Sequence, residues 1–160
     1  MLRHKILVSG EVKVPHYATR LVKKSIRTAL RMEGVNVRCE VNVLFTDDDG
    51  IQVLNREMRD VDRPTDVLSF PAFGFTPEAF DPNDGECDPE SGNLPLGDMA
   101  LNLDRIKKQG EEYGTGEKRE TAYLTVHSIL HLLGYDHMDE GEQKKQMRRR
   151  EDEIMKEMKL

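Results

Sequence analysis

TAYLTVHSILHLLGYDH, residues 121–137, is the stretch that decides the fold. Its apolar residues recur at helical spacing, while His127 and His131 lie about 40° apart on the opposite side of the same helix. Gly134 allows a left-handed helix end, so the chain can turn back and bring His137 to the same point. The stretch therefore predicts a half-buried helix that ends in a cluster of three histidines.

Three imidazoles that converge form a ligand set for a transition metal. We expect His127, His131 and His137 to bind one Zn²⁺ ion, because three neutral nitrogens leave a fourth tetrahedral position open, as in catalytic zinc sites. Nickel, copper and iron accept the same ligands, so the native metal stays open. His4 and His16 lack such neighbours and are predicted to be ordinary surface residues.

The rest of the chain predicts an α+β fold with a small mixed β-sheet. Apolar residues alternate with polar ones, the pattern of strands, over 5–14 and 35–45. Two further strands are predicted over 67–70, between Pro64 and Pro71, and over 94–103. Helical spacing begins at Pro15 and ends at Gly34, starts again after Thr46, and fills the last third with breaks around 110–116 and 134–139. We expect the helices to pack on one face of the sheet, with a metzincin-like zinc-binding helix among them.

The length of 160 residues predicts a single domain spanning 1–160. Its net charge of −6 is concentrated in residues 72–93, an acidic segment with six acids, three prolines and no Lys or Arg. We interpret this segment as a loop insertion on the surface, mobile or partly disordered. The remainder is neutral, so a positively charged groove and a nucleic-acid partner remain compatible with the overall charge.

The compartment predicted from the sequence is the cytoplasm. No apolar stretch is long enough to cross a bilayer, and the N-terminus lacks the apolar core of a signal peptide, so no membrane partner is expected. Cys39 lies in a strand-like run and Cys87 in a polar loop, which predicts two free thiols.

The histidine spacing also matches the metzincin metalloproteases, which keeps a metalloprotease or another zinc hydrolase as an alternative. Those proteases need glutamate as the general base where this chain has Ser128, and a serine hydroxyl cannot hold a proton near neutral pH. Glu120 shares the histidine face about two turns earlier, where it could support a ligand or face the substrate. We favour the simpler interpretation, an ordinary acid at a helix N-terminus.

Further sequence blocks accompany the histidines: LNREMR at 54–59, DRPTDVLSFP at 62–71, LGDM at 96–99 and Arg119-Glu120. Together with HSILHLLGYDH at 127–137 they resemble the YbeY family of bacterial endoribonucleases, over about residues 40–157. The resemblance implies a metal-dependent endoribonuclease that prefers single strands and acts in rRNA processing, notably at the 3′ end of 16S rRNA, and in ribosome quality control. Its expected partners are single-stranded rRNA and the ribosomal small subunit.

The same resemblance implies Arg59 as the catalytic residue, because a fixed guanidinium can stabilise charge on phosphoryl oxygens. Arg56 and Arg63 flank it and are candidates for substrate binding. Asp66 and Asp98 are candidates to orient a metal-bound imidazole by accepting its second N–H, and a role in a turn or a helix cap is an equal alternative for both. A ribosome-associated factor in which zinc only holds the fold remains an alternative, and the oligomeric state is open.

A basic run near the C-terminus comprises Lys144, Lys145 and Arg148 to Arg150. Acids interleave it at helical spacing, at Glu142 and from Glu151 to Glu153. This pattern favours a surface helix whose charges pair with one another, rather than a helix that contacts rRNA.

Overall fold

A four-stranded mixed sheet forms the centre of the computed structural model, which describes residues 2–136 and 141–160. The strands are β1 (Lys5–Gly10), β2 (Cys39–Thr46), β3 (Val67–Pro71) and β4 (Leu94–Asn102), in the order β1-β2-β4-β3. β1, β2 and β4 run parallel, whereas β3 pairs antiparallel with β4. This arrangement confirms the predicted α+β class and the mixed sheet.

Five α-helices accompany the sheet in the described residues. They are α1 (Ala18–Met32), α2 (Asp48–Arg59), α3 (Leu103–Glu112), α4 (Glu117–Leu132) and α5 (Glu142–Glu157). Asp47 caps α2 by accepting a hydrogen bond from the Gly50 N–H, as the run of acids there predicts. Asn102 caps α3 in the same way. None of these helices is long and apolar enough to cross a membrane.

The main core lies between one face of the sheet and the layer formed by α1, α3, α4 and α5. α4 is its central helix and buries Val126, Ile129 and Leu130 completely. α2 packs on the opposite face, where Ile51 meets Leu68 of β3 and Ala100 of β4. Helices therefore cover both faces of the sheet, four on one and α2 alone on the other, whereas the sequence predicts helices on one face only.

The acidic segment, residues 72–93, lies on the surface with all six acids exposed. Its aromatic side chains behave differently: Phe75 is buried in the main core, and the centroid of its ring is 5.3 Å from that of Phe80. Glu78 accepts hydrogen bonds from Gln146 at 2.9 Å and Arg149 at 2.8 Å, both on α5. The segment is therefore joined to the core and to α5, which its acids and prolines alone do not predict.

His4 differs from the expectation of an ordinary surface residue. It is 9% exposed, and its Nδ1 accepts a hydrogen bond from the Cys39 N–H at 3.0 Å. Cys39 is fully buried, and burial raises the pKa of its thiol to about 12. Cys39 and the exposed Cys87 are both free thiols, as predicted.

Candidate functional site

The C-terminal half of α4 brings two histidines together. The Nε2 atoms of His127 and His131 are 3.1 Å apart, one turn from each other on the helix. α4 ends at Leu132, and Gly134 follows with a φ of 99°. The predicted helix, its glycine turn and two of the three histidines are thus in place, whereas His137 lies outside the described residues.

Gly134 is required at this turn for two reasons. A positive φ is strained for residues with a side chain, and a Cβ atom here would overlap the carbonyl oxygen of Phe75. The acidic segment therefore packs directly against the backbone that ends α4. Any side chain at position 134 would separate the two.

Each imidazole has an acceptor beside its outer nitrogen. Nδ1 of His127 is 3.1 Å from Oε2 of Glu151, and Nδ1 of His131 is 2.9 Å from the backbone oxygen of Tyr135. A carboxylate and a carbonyl both accept hydrogen bonds, so each ring is expected to carry its proton on Nδ1. Both Nε2 atoms then direct their lone pairs toward the same point.

The two histidines fit a metal ion. The two Nε2 atoms, 3.1 Å apart, can share a hydrogen bond if one ring carries its proton there, or bind one cation if both rings carry it on Nδ1. Zinc binds histidine nitrogens at about 2.0–2.1 Å, which sets nitrogens of one tetrahedron about 3.4 Å apart. Within residues 2–136 and 141–160, no group of three or more His, Cys, Asp or Glu gathers to hold a metal. The described residues thus include two of the three predicted ligands, His127 and His131.

Glu151 is a site residue that the sequence interpretation missed. It was assigned to a self-paired surface helix, but it is only 5% exposed and faces α4. Burial alone would raise the pKa of its carboxyl, but the hydrogen bond and charge of His127 and the Tyr123 hydroxyl hold that pKa below its usual value. Glu151 lies on the helix face that buries Met147 and Ile154, and this apolar periodicity is the signal that could have identified it.

The remainder of α5 combines the predicted charge pairing with a second buried contact. Lys145 pairs with Glu142 at 3.9 Å, and Arg149 with Glu153 at 3.8 Å, as expected for a surface helix. Arg150 instead turns inward, where its Nε donates to the Glu33 carboxylate at 2.7 Å.

Glu33 links Arg150 to the turn after α4. The Tyr135 hydroxyl donates to the carboxylate of Glu33, whose side chain is only 3% exposed. Tyr135 is the residue whose backbone oxygen contacts His131. Neighbouring residues of α5 thus support both histidines, Glu151 by direct contact and Arg150 through Glu33.

A groove of about 990 Å³ opens in front of the histidines. It is lined by His127 and His131 and by three of the other predicted site residues, Arg59, Arg63 and Asp66. The fold therefore brings five predicted site residues to one groove.

Arg59 is held in this groove by two contacts. It lies in the last turn of α2, where its Nη2 donates to the backbone oxygen of Ser69. Its Cζ is 5.4 Å from the centroid of the Phe70 ring, within cation–π distance. The guanidinium is thus fixed against β3.

Three other predicted residues lie elsewhere. Arg56 is exposed and pairs with Asp62 at 3.7 Å.

Asp98 lies on the α2 face of the sheet, because its side chain alternates with the core residues of β4. There it accepts a hydrogen bond from Asn42 at 2.9 Å. That position is away from the histidines, and the expected role of Asp98 beside an imidazole is filled by Glu151 and the Tyr135 carbonyl. Glu120 lines an adjoining pocket.

Ser128 faces away from the groove. Its side chain is fully buried, and its hydroxyl is 2.6 Å from that of Ser69 on β3. The hydroxyl joins α4 to the sheet and is not available as a general base, in agreement with the argument against proteolysis.

Comparison with known proteins shows the family. The sequence matches the family described as Endoribonuclease YbeY over residues 8–159. The chain belongs to the YbeY endoribonuclease family. Among curated YbeY proteins, each named Endoribonuclease YbeY, the one from Clostridium botulinum strain Loch Maree is 44% identical over 94% of both chains. The one from Clostridium acetobutylicum is 47% identical over 91% of both chains.

The same architecture is also seen in a solved structure. The solution structure of TM1509 from Thermotoga maritima aligns with a TM-score of 0.59 and 25% identity. The alignment covers 96% of this chain and 91% of that protein. The architecture described above is therefore shared with a protein of known structure.

Proposed function

We propose that this protein is a zinc-dependent endoribonuclease that cleaves single-stranded RNA in the groove in front of α4. The observation that carries the proposal is that Arg59 and the converging Nε2 atoms of His127 and His131 line one groove. Membership of the YbeY family, whose curated relatives are named endoribonucleases, gives the substrate class. His137 is proposed as the third zinc ligand on the sequence pattern alone.

The chemistry of phosphodiester hydrolysis suits these residues. A zinc ion bound by the histidines would act as a Lewis acid and make water acidic enough to ionise near neutral pH. Arg59 has five N–H donors and uses one on the Ser69 carbonyl, so its fixed guanidinium can bind the phosphoryl oxygens where negative charge develops. Arg63 lines the same groove and is positioned to bind a neighbouring phosphate.

Glu151 and the Tyr135 carbonyl hold the imidazoles in the orientation that this chemistry requires. By accepting from Nδ1–H they keep Nε2 of each ring free of a proton and directed into the groove. The carboxylate also makes the His127 ring a stronger base, and hence a stronger ligand.

Further parts of the proposal rest on family resemblance. They are processing of the 3′ end of 16S rRNA, a role in ribosome quality control, association with the small ribosomal subunit, and a cytoplasmic location. The preference for single-stranded over double-stranded RNA rests on the same resemblance.

Cleavage of a fluorescently labelled single-stranded rRNA fragment by zinc-loaded protein tests the proposal. Arg59→Ala should lower kcat by about 100-fold, because it removes a charged donor to the transition state. Arg31→Ala is the matched control, since Arg31 is exposed on α1 and pairs with Glu157. The control should leave cleavage unchanged.

The protein is first freed of contaminating nucleases. The proposal is contradicted if the wild-type protein then leaves the RNA intact, or if the Arg59→Ala variant cleaves it as well as the wild type does. Circular dichroism of each variant checks that the fold is retained.

A further inference from the structure

A second pocket, of about 360 Å³, opens beside the groove. Asp66 and Gln109 line both, so the two form one continuous surface. Its volume lies in the range of about 300–1,000 Å³ typical of small-ligand sites. A strand bound in the groove would therefore have a compartment next to it large enough for one nucleobase.

The pocket and the groove differ in charge. The groove is lined by Arg59, Arg63 and Arg105, which suit phosphates and outnumber its two carboxylates, Asp66 and Asp136. The adjoining pocket contains the carboxyl groups of Glu120 and Asp66, with Arg119 as its one cation among the described residues. A phosphate is repelled by two carboxylates, whereas a base that offers N–H donors is attracted.

Glu120 is a built feature of this pocket. It is 5% exposed, and the Thr115 hydroxyl donates to its Oε1 at 3.3 Å. Burial, and the charge of Asp66 to a smaller degree, raise the pKa of this carboxyl, while Thr115 and Arg119 oppose the shift. Additional N–H donors would stabilise the buried carboxylate, so the pocket favours a ligand that brings them.

Tyr113 supplies an aromatic surface at the same pocket. It follows the last residue of α3 and is 65% exposed, the most exposed of the large apolar side chains in the described chain. Exposed aromatic rings beside RNA-binding grooves serve as platforms on which unpaired bases stack.

We propose that this pocket binds an unpaired guanine of the RNA strand, stacked on Tyr113 with its N1–H and 2-amino groups donating to Glu120. Guanine is the base that presents two adjacent donors to one carboxylate, and the Gln109 amide can donate to its O6. The proposal rests on the proposed function, because the strand in the groove is what delivers the base. It assigns the protein a preference for guanine next to the cleaved bond.

Nucleotide titrations test the pocket without any cleavage. Guanosine, inosine and adenosine 5′-monophosphate are titrated into the zinc-loaded full chain and followed by NMR, since none contains a phosphodiester bond. The guanine nucleotide should bind about tenfold more tightly than inosine monophosphate, which lacks the 2-amino group, and than the adenine nucleotide.

Two variant pairs separate the contacts. Glu120→Gln should remove the guanine preference, while Glu112→Gln, which removes an exposed charge from the end of α3, should retain it. Tyr113→Ala should weaken all three nucleotides by about tenfold, and Tyr113→Phe should restore binding because the ring is kept. Thermal unfolding of Glu120→Gln verifies its fold.

Equal affinities for the three nucleotides, or a guanine preference that survives Glu120→Gln, overturn the proposal. Its failure is distinct from that of the proposed function, because RNA cleavage without any base preference leaves the nuclease in place. Conversely, guanine binding by a protein that cleaves no RNA supports the pocket and contradicts the nuclease.

Discussion

The two ends of α4 carry buried polar groups on the same helix face but stabilise them differently. At the C-terminal end each imidazole has an acceptor beside its outer nitrogen, from Glu151 for His127 and from the Tyr135 backbone for His131. At the N-terminal end, Glu120 is buried more deeply than the imidazoles, yet its hydrogen-bond donor is a neutral hydroxyl. We infer that the C-terminal end is organised to direct lone pairs outward, and that the N-terminal end is left able to accept donors from a ligand.

Gly134→Ala should produce the largest effect, at the C-terminal end. An alanine there must adopt a positive φ, and its Cβ would collide with the Phe75 carbonyl. We expect a loss of about 2–4 kcal/mol in the free energy of unfolding, measured with urea. Zinc binding should weaken in parallel because the turn that holds Tyr135 is displaced.

Gly114→Ala is the matched control for that loss. Gly114 also has a positive φ, of 68°, but a Cβ there meets nothing within 4 Å. Gly114→Ala should lower the free energy of unfolding by only about 1 kcal/mol, the cost of a left-handed backbone conformation at a residue with a side chain. Equal losses for the two variants would mean that the contact between the turn and Phe75 does not matter.

Glu151→Gln should give a smaller, more selective effect at the same end. The amide can still accept from His127 but lacks the negative charge, so zinc affinity should fall about tenfold, measured by competition with a chromophoric chelator. Asp152→Asn, which removes an exposed neighbouring charge, should leave the affinity unchanged. An unaltered affinity in Glu151→Gln would show that His127 does not depend on its carboxylate.

Glu120→Gln should give the smallest effect, and with the opposite sign. Because the pKa of Glu120 is raised in the folded protein, its ionised form opposes folding above that pKa. The glutamine variant should therefore be more stable at pH 8 by about 1 kcal/mol or less. The gain should fade as the pH falls below the unfolded pKa of about 4.3, where the acid becomes protonated in both states. Lower stability at pH 8 would mean that the carboxylate is already well compensated.

The sequence was sufficient for α4 because three independent signals agree there. The apolar spacing predicts the helix, the four-residue separation of His127 and His131 predicts their shared face, and Gly134 predicts the turn. Local chain geometry decides all three. The local strand and helix periods likewise indicate the α+β class.

Contacts between distant parts of the chain explain what the sequence did not predict. Glu151 lies in a charged run and resembles a surface acid, and only the docking of α5 on α4 brings it to His127. Asp98 sits in a block that resembles a family signature, but the alternation of β4 directs it to the other face of the sheet. The burial of Phe75 is not predicted, because acids and prolines surround it in the sequence. Its backbone nevertheless packs against the turn at Gly134.

The most direct test of the central claim is a titration of zinc into metal-free protein while cleavage of a labelled single-stranded RNA is followed. We predict that the cleavage rate rises linearly with zinc and saturates at one zinc per chain. The His131→Ala variant should stay inactive throughout. The His16→Ala variant should behave as the wild type, because His16 is exposed and lies outside the cluster. Full cleavage in excess chelator, or a His131→Ala variant that responds to zinc like the wild type, would contradict it.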